Sequence, residues 1–212
     1  MEKYYGNYTH FEALSKKDAA ALLGSDNIVG DVFSLENDMV DGQHRTWIVN
    51  KFGKRVGYLE EKASKKMSLL QAEGLECKAI LSFVAFSDHP DEGHYWGEVG
   101  IVCYSPAYED DFAVFISKVS KSIGDDVRPQ LALGESAVSK IIESHGEWMP
   151  KQTVSIPKVE KGTAILKRRR SGMDKMVELG RSGNKGCYVI SWVFLLAIVA
   201  LIIFGLHSCG LF

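Results

Sequence analysis

Hydrophobic and polar positions alternate most clearly in two short runs that meet at a glycine in the first third of the chain. Residues 46–50 (TWIVN) and 54–60 (KRVGYLE) flank the tripeptide Lys51-Phe52-Gly53. β-Branched and aromatic residues favour strands, and a short glycine-containing loop between two such runs is typical of a hairpin. The pattern therefore predicts a β-hairpin over residues 46–60.

Three further segments have the composition of strands. Residues 28–36 and 94–104 are rich in β-branched and aromatic residues, and residues 77–86 form an almost continuous apolar run. Such a run is typical of a strand that is buried on both faces. Between the hairpin and this run, apolar residues recur at helical spacing over residues 63–70. Strands interrupted by one helix predict a small, strongly curved sheet or barrel.

Helical patterns lie on both sides of these strands. Ser15 precedes a run of good helix formers that ends at a glycine, which predicts an N-terminal helical segment within residues 1–27. Apolar residues at helical spacing over 112–123 and again over 137–142 predict a helical appendage that spans residues 106–150.

Residues 187–206 contain no charged residue. As a helix with a rise of about 1.5 Å per residue, this segment would extend roughly 30 Å, which matches the hydrocarbon core of a bilayer. Globular helices rarely lack a polar face over such a length, so the segment predicts a single transmembrane helix rather than a core helix. Only the short tail 207–212 follows it, and we therefore expect a tail-anchored protein.

Charge is distributed unevenly along the chain. Residues 1–159 carry 17 basic and 24 acidic residues, a net charge of −7, whereas residues 160–186 carry 8 basic and 3 acidic residues. The positive-inside rule predicts a cytoplasmic N-terminal domain and a basic juxtamembrane linker over 151–186. Cations close to a bilayer also attract anionic lipid headgroups, so lipid is a predicted partner. The cations expected at the membrane surface are Lys167, Arg168, Arg169, Arg170, Lys175, Arg181 and Lys185.

The four cysteines are widely spaced and form no CxxC pair. Cys77 and Cys103 lie within apolar runs, where a cysteine behaves as a small hydrophobic residue. Disulfide frameworks are typical of smaller secreted domains with denser cysteines. The sequence therefore predicts that these two residues are buried thiols.

One loop contains residues that could bind a metal ion. His89, Asp91, Glu92 and His94 are possible ligands, but their spacing matches no closed zinc pattern, which favours a solvated loop. Motifs of activated nucleophiles and of nucleotide-binding loops do not occur in the sequence. We therefore expect no enzymatic activity and no cofactor. The alternative is a membrane-tethered, metal-dependent hydrolase that uses His89 and His94.

The predicted hairpin interleaves aromatic residues with cations, which is typical of proteins that bind single-stranded nucleic acid. The net negative charge of residues 1–159 opposes such binding unless the cations form a local patch. The alternative is that the aromatic residues simply face the core. The candidate binding residues are Trp47, Lys51, Lys54, Arg55 and Tyr58.

Three stretches follow one another in a recurring order: VGDVFSL (29–35), the hairpin with the helix that follows it (46–70), and the strand 77–86. In this order of elements, residues 28–105 resemble the HIRAN domain. The resemblance implies a compact OB-like β-barrel, which in the DNA-repair members of the family holds a single-stranded DNA end. The Asn-x-x-Asp-x-x-Ala-Ile run of the family is replaced here by a sequence with Asp41, His44 and Trp47 at those places. The matching positions are Val29, Gly30, Ile48, Gly53, Val56, Gly57, Tyr58, Leu59, Ala63 and Leu70.

Together these patterns predict an α+β protein. We expect a small OB-like, HIRAN-like β-barrel over residues 28–105, a helical C-terminal appendage, and then a single C-terminal transmembrane helix. The expected function is that of a non-enzymatic, single-pass membrane protein, tail-anchored, with its N-terminal domain in the cytoplasm. Its barrel would bind single-stranded nucleic acid or a cytoplasmic protein partner.

Overall fold

The computed structural model describes residues 4–88, 93–181 and 192–198. They belong to two compact units, and the boundary between the units along the chain lies between Arg170 and Ser171. Within its described residues, the first unit has seven strands, four α-helices and one 3-10 turn. The strands are β1 (Tyr4–Ala13), β2 (Val32–Val40), β3 (Gln43–Val49), β4 (Arg55–Leu59), β5 (Glu76–Ser87), β6 (His94–Tyr104) and β7 (Thr163–Lys167). The helices are α1 (Lys16–Leu23), α2 (Glu61–Ala72), the 3-10 turn Pro106–Tyr108, α3 (Glu109–Gly124) and α4 (Glu135–Glu143).

Six of the strands close into an antiparallel barrel. Hydrogen-bonded neighbours follow the order β2-β3-β4-β1-β6-β5, and the barrel closes where β2 pairs with β5, with Val32 opposite Ile80. β7 lies on the same edge of β5, further along the strand, with Ser87 opposite Thr163. The predicted α+β class and small β-barrel are confirmed.

One aromatic side chain occupies the centre of the barrel. Phe11 is wholly buried, and both Gly57 and Gly97 make room for it, because a Cβ at either position would lie 2.7 Å from its ring. Leu22 of α1 and Met67 of α2 complete the same hydrophobic core. The glycine of the predicted strand 54–60 is therefore needed for packing.

β1 is a strand that the sequence analysis did not predict. Residues 1–27 are predicted to form a helical segment. Among its described residues, from Tyr4 onward, only α1 is helical, and Tyr4–Ala13 forms a central strand between β4 and β6. Polar residues interrupt the apolar alternation of this stretch, so its local pattern is weak. Pairing on both edges, with Phe11 opposite Leu59 on β4 and Gly97 on β6, overrides that weak propensity.

A second hydrophobic core lies between the outer face of the barrel and α3 and α4. The ring of Tyr104 on β6 stacks on Phe112 of α3 at a centroid distance of 4.7 Å, and Phe112 also contacts Phe115 edge to face. Val138 and Ile141 of α4 belong to the same core. The helices predicted over residues 112–123 and 137–142 are therefore confirmed.

A buried arginine holds the segment that follows α3 against the barrel. Arg128 forms an ion pair with Glu98, and its guanidinium lies 4.2 Å from the centroid of the Tyr8 ring. The Tyr8 hydroxyl donates to the carbonyl of Pro129 over 2.9 Å, and burial raises the pKa of Tyr8 to about 12. The connection between α3 and α4 is thus a fixed part of the first unit.

Cys77 and Cys103 are buried as predicted, but they form a disulfide instead of two free thiols. They lie directly opposite each other on β5 and β6, with their Cα atoms 4.1 Å apart. The prediction of thiols was wrong because it considered cysteine density alone, whereas the pairing of the two residues depends on strand register.

The predicted linker over 151–186 contains ordered structure. The N–H of Val154 donates to the carbonyl of Arg128 over 2.8 Å, and Thr163–Lys167 forms β7. A five-residue strand next to a run of cations has too short a pattern to be distinguished from a linker. Its partner, β5, is also about 80 residues away in the sequence.

The second unit contains α5 (Gly172–Arg181) and a helical stretch over 192–198. A reciprocal capping box begins α5: the Ser171 hydroxyl accepts the N–H of Asp174, and the Asp174 carboxylate accepts the N–H of Ser171. The rest of the predicted transmembrane segment 187–206, and the tail 207–212, lie outside the described residues. Among the residues that are described, no helix has the length and apolarity needed to cross a membrane.

Candidate nucleic-acid interface

A buried side chain holds the backbone of the turn between β3 and β4. Asn50 is buried, and its Oδ1 accepts the N–H groups of Phe52 and Lys54, each over 3.0 Å. Its Nδ2 donates to Oδ1 of Asn27 over 3.1 Å. Gly53 has a φ of +73°, a conformation that glycine adopts without steric cost. The turn therefore has a defined backbone that is connected to the interior of the protein.

The residues at the tip of this turn project into solvent. The side chain of Phe52 is 63% exposed, and Lys51 and Lys54 beside it are also exposed. The Lys51 ammonium lies 5.2 Å from the centroid of the Phe52 ring. We call these three residues the turn platform. An aromatic ring flanked by two cations can stack on a nucleic-acid base while the cations contact phosphates.

A cluster of two rings and two cations lies behind the turn platform on the outer face of β3 and β4. The rings of Trp47 and Tyr58 meet at 72° with their centroids 5.8 Å apart. The Arg45 guanidinium lies 4.7 Å from the Tyr58 centroid, and the Arg55 guanidinium lies 4.9 Å from the Trp47 centroid. Both distances are within the range of cation–π contacts. We call these four residues the strand cluster.

Trp47 does not itself offer a ring face to a ligand. It is only 8% exposed, and its indole Nε1 is buried without a hydrogen-bond partner among the described residues. The guanidinium groups of Arg45 and Arg55 lie against its ring. The rings of the strand cluster therefore support the two arginines, whose guanidinium groups cover the indole.

Two carboxylates on β2 contact one of these arginines. The Nη2 of Arg55 donates to Oε2 of Glu36 over 3.2 Å, and its Nη1 lies 3.7 Å from Oδ2 of Asp38. About half of each of these three side chains is exposed. Exposed ion pairs contribute only about 0–1 kcal/mol to stability, so a phosphate can replace the carboxylates at little cost.

All five binding residues predicted from the sequence lie on this one hairpin. Lys51 and Lys54 belong to the turn platform, and Trp47, Arg55 and Tyr58 belong to the strand cluster. Sequence analysis missed Arg45 because it began the strand at residue 46. With β3 starting at Gln43, the two-residue period of a strand places position 45 on the same face as Trp47.

Two of the cations predicted at the membrane surface are bound to the first unit. The Nζ of Lys167 donates to the backbone carbonyls of Gly24, over 3.0 Å, and Asn27, over 2.6 Å. The Nε of Arg170 donates to the carbonyl of Val29 over 2.8 Å. Both side chains are half-buried. Their charge is therefore used within the protein.

Three further members of that set are exposed. Arg168 lies 3.1 Å from the carboxylate of Asp126 but is about half exposed, and Arg169 and Lys175 are also exposed. Arg181 ends α5, and Lys185 lies outside the described residues. Among the members of that set whose side chains are described, Arg168, Arg169 and Lys175 are thus the exposed ones.

Only part of the predicted metal-binding loop is described. His89, Asp91 and Glu92 lie outside the described residues, whereas His94 begins β6. The Nε2 of His94 is 4.0 Å from Glu12, and the other carboxylate oxygen of Glu12 lies 2.7 Å from His10. Within the described ranges, no group of three or more histidine, cysteine, aspartate or glutamate residues is arranged to hold a metal ion.

The geometry of the hairpin makes it the candidate interface. The resemblance of residues 28–105 to the HIRAN domain stays a prediction from the sequence. Comparisons with models of protein families, with curated proteins and with solved structures found no match.

Proposed function

We propose that this chain is a non-enzymatic, membrane-anchored protein whose HIRAN-like barrel binds single-stranded nucleic acid at the β3–β4 hairpin. The observation that carries the proposal is the turn platform. Phe52 is 63% exposed between two exposed lysines, on a turn whose backbone is held by the buried side chain of Asn50.

An exposed ring on a turn with a held backbone is suited to stacking. Base–aromatic stacking contributes about 1–3 kcal/mol per base and tolerates any base, because every base has a flat face. Asn50 already holds the backbone of the turn, so binding would order little of the protein. The platform therefore favours a ligand with unpaired, accessible bases over a base-paired duplex.

The charge of the hairpin also supports the proposal. Between Arg45 and Leu59 the sequence contains four cations and no acidic residue, although residues 1–159 as a whole have a net charge of −7. Lys51 and Lys54 lie at the turn, and Arg45 and Arg55 lie along the strands, where Glu36 and Asp38 of β2 pair with Arg55. These four cations are the local patch that a negatively charged domain needs for phosphate binding.

The membrane anchor is supported by the second unit. Residues 187–206 carry no charge, and α5 exposes Met173 (73%) and Met176 (70%) next to the exposed cation Lys175. Exposed apolar side chains beside cations are typical of a helix that lies at a bilayer surface. In this proposal the anchor holds the barrel at the cytoplasmic face, and Arg169 and Lys175 contact anionic headgroups.

The proposed interface is tested by the affinity of the full-length chain, in nanodiscs of phosphatidylcholine, for a fluorescent single-stranded oligonucleotide. We expect Phe52→Ala to weaken binding about tenfold, since it removes one stacking contact. Met39→Ala is the matched control, because Met39 is also an exposed apolar residue (57%) near a hairpin turn, that between β2 and β3. Equal affinities of the two variants, or equal affinity for a duplex, would contradict the proposal.

The anchor has a separate test. Membranes that contain the full-length chain are extracted at alkaline pH, which releases peripheral proteins and leaves spanning proteins in the pellet. We expect the chain to stay in the pellet. Replacing two central residues of the apolar segment, Leu196→Lys with Ile198→Lys, should release it, because each charge at a bilayer centre costs about 2.5–3.5 kcal/mol. Release of the unaltered chain would refute the anchor and leave the hairpin proposal standing.

A further inference from the structure

A cleft of about 520 Å³ opens between α4 and two extended segments, residues 130–134 and 148–152. Two hydrogen bonds from backbone N–H groups hold its walls. The N–H of Gln130 donates to the carbonyl of Gln152 over 2.9 Å, and the N–H of Trp148 donates to the Ser144 hydroxyl over 2.8 Å. The volume is within the range of about 300–1,000 Å³ that is usual for small-molecule sites. The cleft lies wholly in the first unit and uses none of the hairpin residues.

Trp148 is the aromatic residue among those that line the cleft. It is half-buried: part of the indole packs against the second hydrophobic core, while the residue also lines the cleft. Leu133 and Pro150 lie beside it in the lining. An indole that is anchored on one side and open on the other is a rigid surface for a flat ring.

The polar part of the lining is cationic. Lys140 and Lys151 both line the cleft and are exposed, and among the described residues no carboxylate lines it. The ammonium of Lys140 lies 6.0 Å from the centroid of the Trp148 ring, so charge and ring face the same opening. Gln130 and Gln152 supply amide groups at the same site. This composition is the reverse of the charge balance of residues 1–159, which is net −7.

We infer that this cleft binds a small planar organic anion. An aromatic or heteroaromatic ring packs against Trp148, and a phosphate or carboxylate on that ring contacts Lys140 and Lys151. The glutamine amides donate to and accept from polar atoms at the edge of the ring. The inference does not depend on the function proposed for the hairpin, because the two sites share no residue.

Two pairs of probes test the charge requirement. The full-length chain in phosphatidylcholine nanodiscs is titrated with adenosine monophosphate and with naphthoate, and then with their neutral counterparts adenosine and naphthalenemethanol. Binding is followed by ligand-observed NMR. We expect at least one anion to bind about tenfold more tightly than its neutral counterpart, since it gains charge-assisted contacts with two lysines. Failure of both anions to bind at millimolar concentration overturns the inference, and so does equal binding of each anion and its counterpart.

Variants locate the binding. Lys140→Met with Lys151→Met should weaken anion binding about tenfold and leave neutral ligands unaffected, whereas Trp148→Leu should weaken both classes. Lys62→Met with Lys65→Met is the control, because it makes the same change in charge on α2. The lysine variants alter exposed side chains only, and their fold is checked by thermal unfolding. An anion affinity that is the same in the two double variants overturns the inference even where anions bind.

Discussion

The chain has two basic segments that differ in the spacing of their cations and in how the structure uses them. Residues 167–170 form an unbroken run of four cations, whereas the cations of the hairpin are scattered over residues 45–55. The denser run suggests the stronger positive surface. In the structure, however, Lys167 and Arg170 donate to buried parts of the first unit, while Lys51 and Lys54 lie in solvent beside an exposed ring.

Two helix ends explain why Lys167 and Arg170 point into the first unit. Lys167 donates to the carbonyl of Gly24, just beyond the end of α1. Arg170 donates from its backbone N–H to the carbonyl of Gly124, the last residue of α3, and a Cβ on that glycine would lie 2.5 Å from Arg170 Nε. The last carbonyls of a helix have no intrahelical partner and carry partial negative charge, which cations stabilise. Charge density in a sequence therefore does not show which cations stay exposed in the structure.

The largest effect that would test this comparison is on stability. Arg170→Met should lower the free energy of unfolding by about 2–3 kcal/mol, because the half-buried carbonyl of Val29 and the end of α3 lose their cationic partner. Arg169→Met is the matched control from the same run, and we expect a change of less than about 0.5 kcal/mol for this exposed residue. Chemical denaturation followed by circular dichroism measures both. Similar free energies of unfolding for the two variants would show that the contacts of Arg170 do not stabilise the fold.

A charge reversal in the other segment should affect binding without affecting stability. Lys51→Glu with Lys54→Glu is expected to weaken oligonucleotide binding by about tenfold or more and to reduce its salt dependence, because two phosphate contacts are lost. Arg169→Glu serves as the control outside the hairpin. Fluorescence anisotropy at several salt concentrations gives both quantities. An unchanged salt slope in the double variant would remove the turn platform from the interface.

Lys167→Met should have a smaller effect than Arg170→Met. It removes an ammonium from two backbone carbonyls at a half-buried position, and we expect a loss of about 1 kcal/mol in the free energy of unfolding. Denaturation under the same conditions measures this value. A variant that is as stable as the unaltered chain would show that water satisfies these carbonyls equally well.

The smallest predicted effect concerns the carboxylates that contact Arg55. Glu36→Gln with Asp38→Asn should strengthen oligonucleotide binding about threefold, because the arginine no longer exchanges one ion pair for another. Glu61→Gln with Glu73→Gln is the control for the same change in net charge on α2 and its C-terminus. If both pairs strengthen binding equally, long-range charge and not Arg55 is responsible.

Much of the barrel could be predicted because its signals are local. The hairpin, α2 and the buried strand β5 each have a distinctive pattern within about a dozen residues. β1 and β7 were missed because their identity as strands depends on partners elsewhere: Phe11 pairs with Leu59, and Thr163 with Ser87. The disulfide was missed for the same reason, since it depends on the register of β5 and β6.

The candidate interface was partly predictable for a related reason. Trp47, Lys51 and Tyr58 could be recognised as a group because one hairpin carries them all. The sequence left open whether Trp47 is buried, since its burial beneath two arginines depends on which face of the strands each residue occupies and on where the strands end. The cleft at Trp148 was not predicted either, because its walls come from segments that only the fold brings together.

The position of β7 also determines how the first unit responds to mechanical load. Any pull that reaches this unit through Ser171 acts first on Arg170 and then on the β7–β5 hydrogen bonds, because these are the last attachments of the chain to the barrel. The hairpin between Gln43 and Leu59 is connected to the barrel through other strands. A tether that begins after Arg170 would therefore strain β7 before it disturbed the surface that carries Phe52.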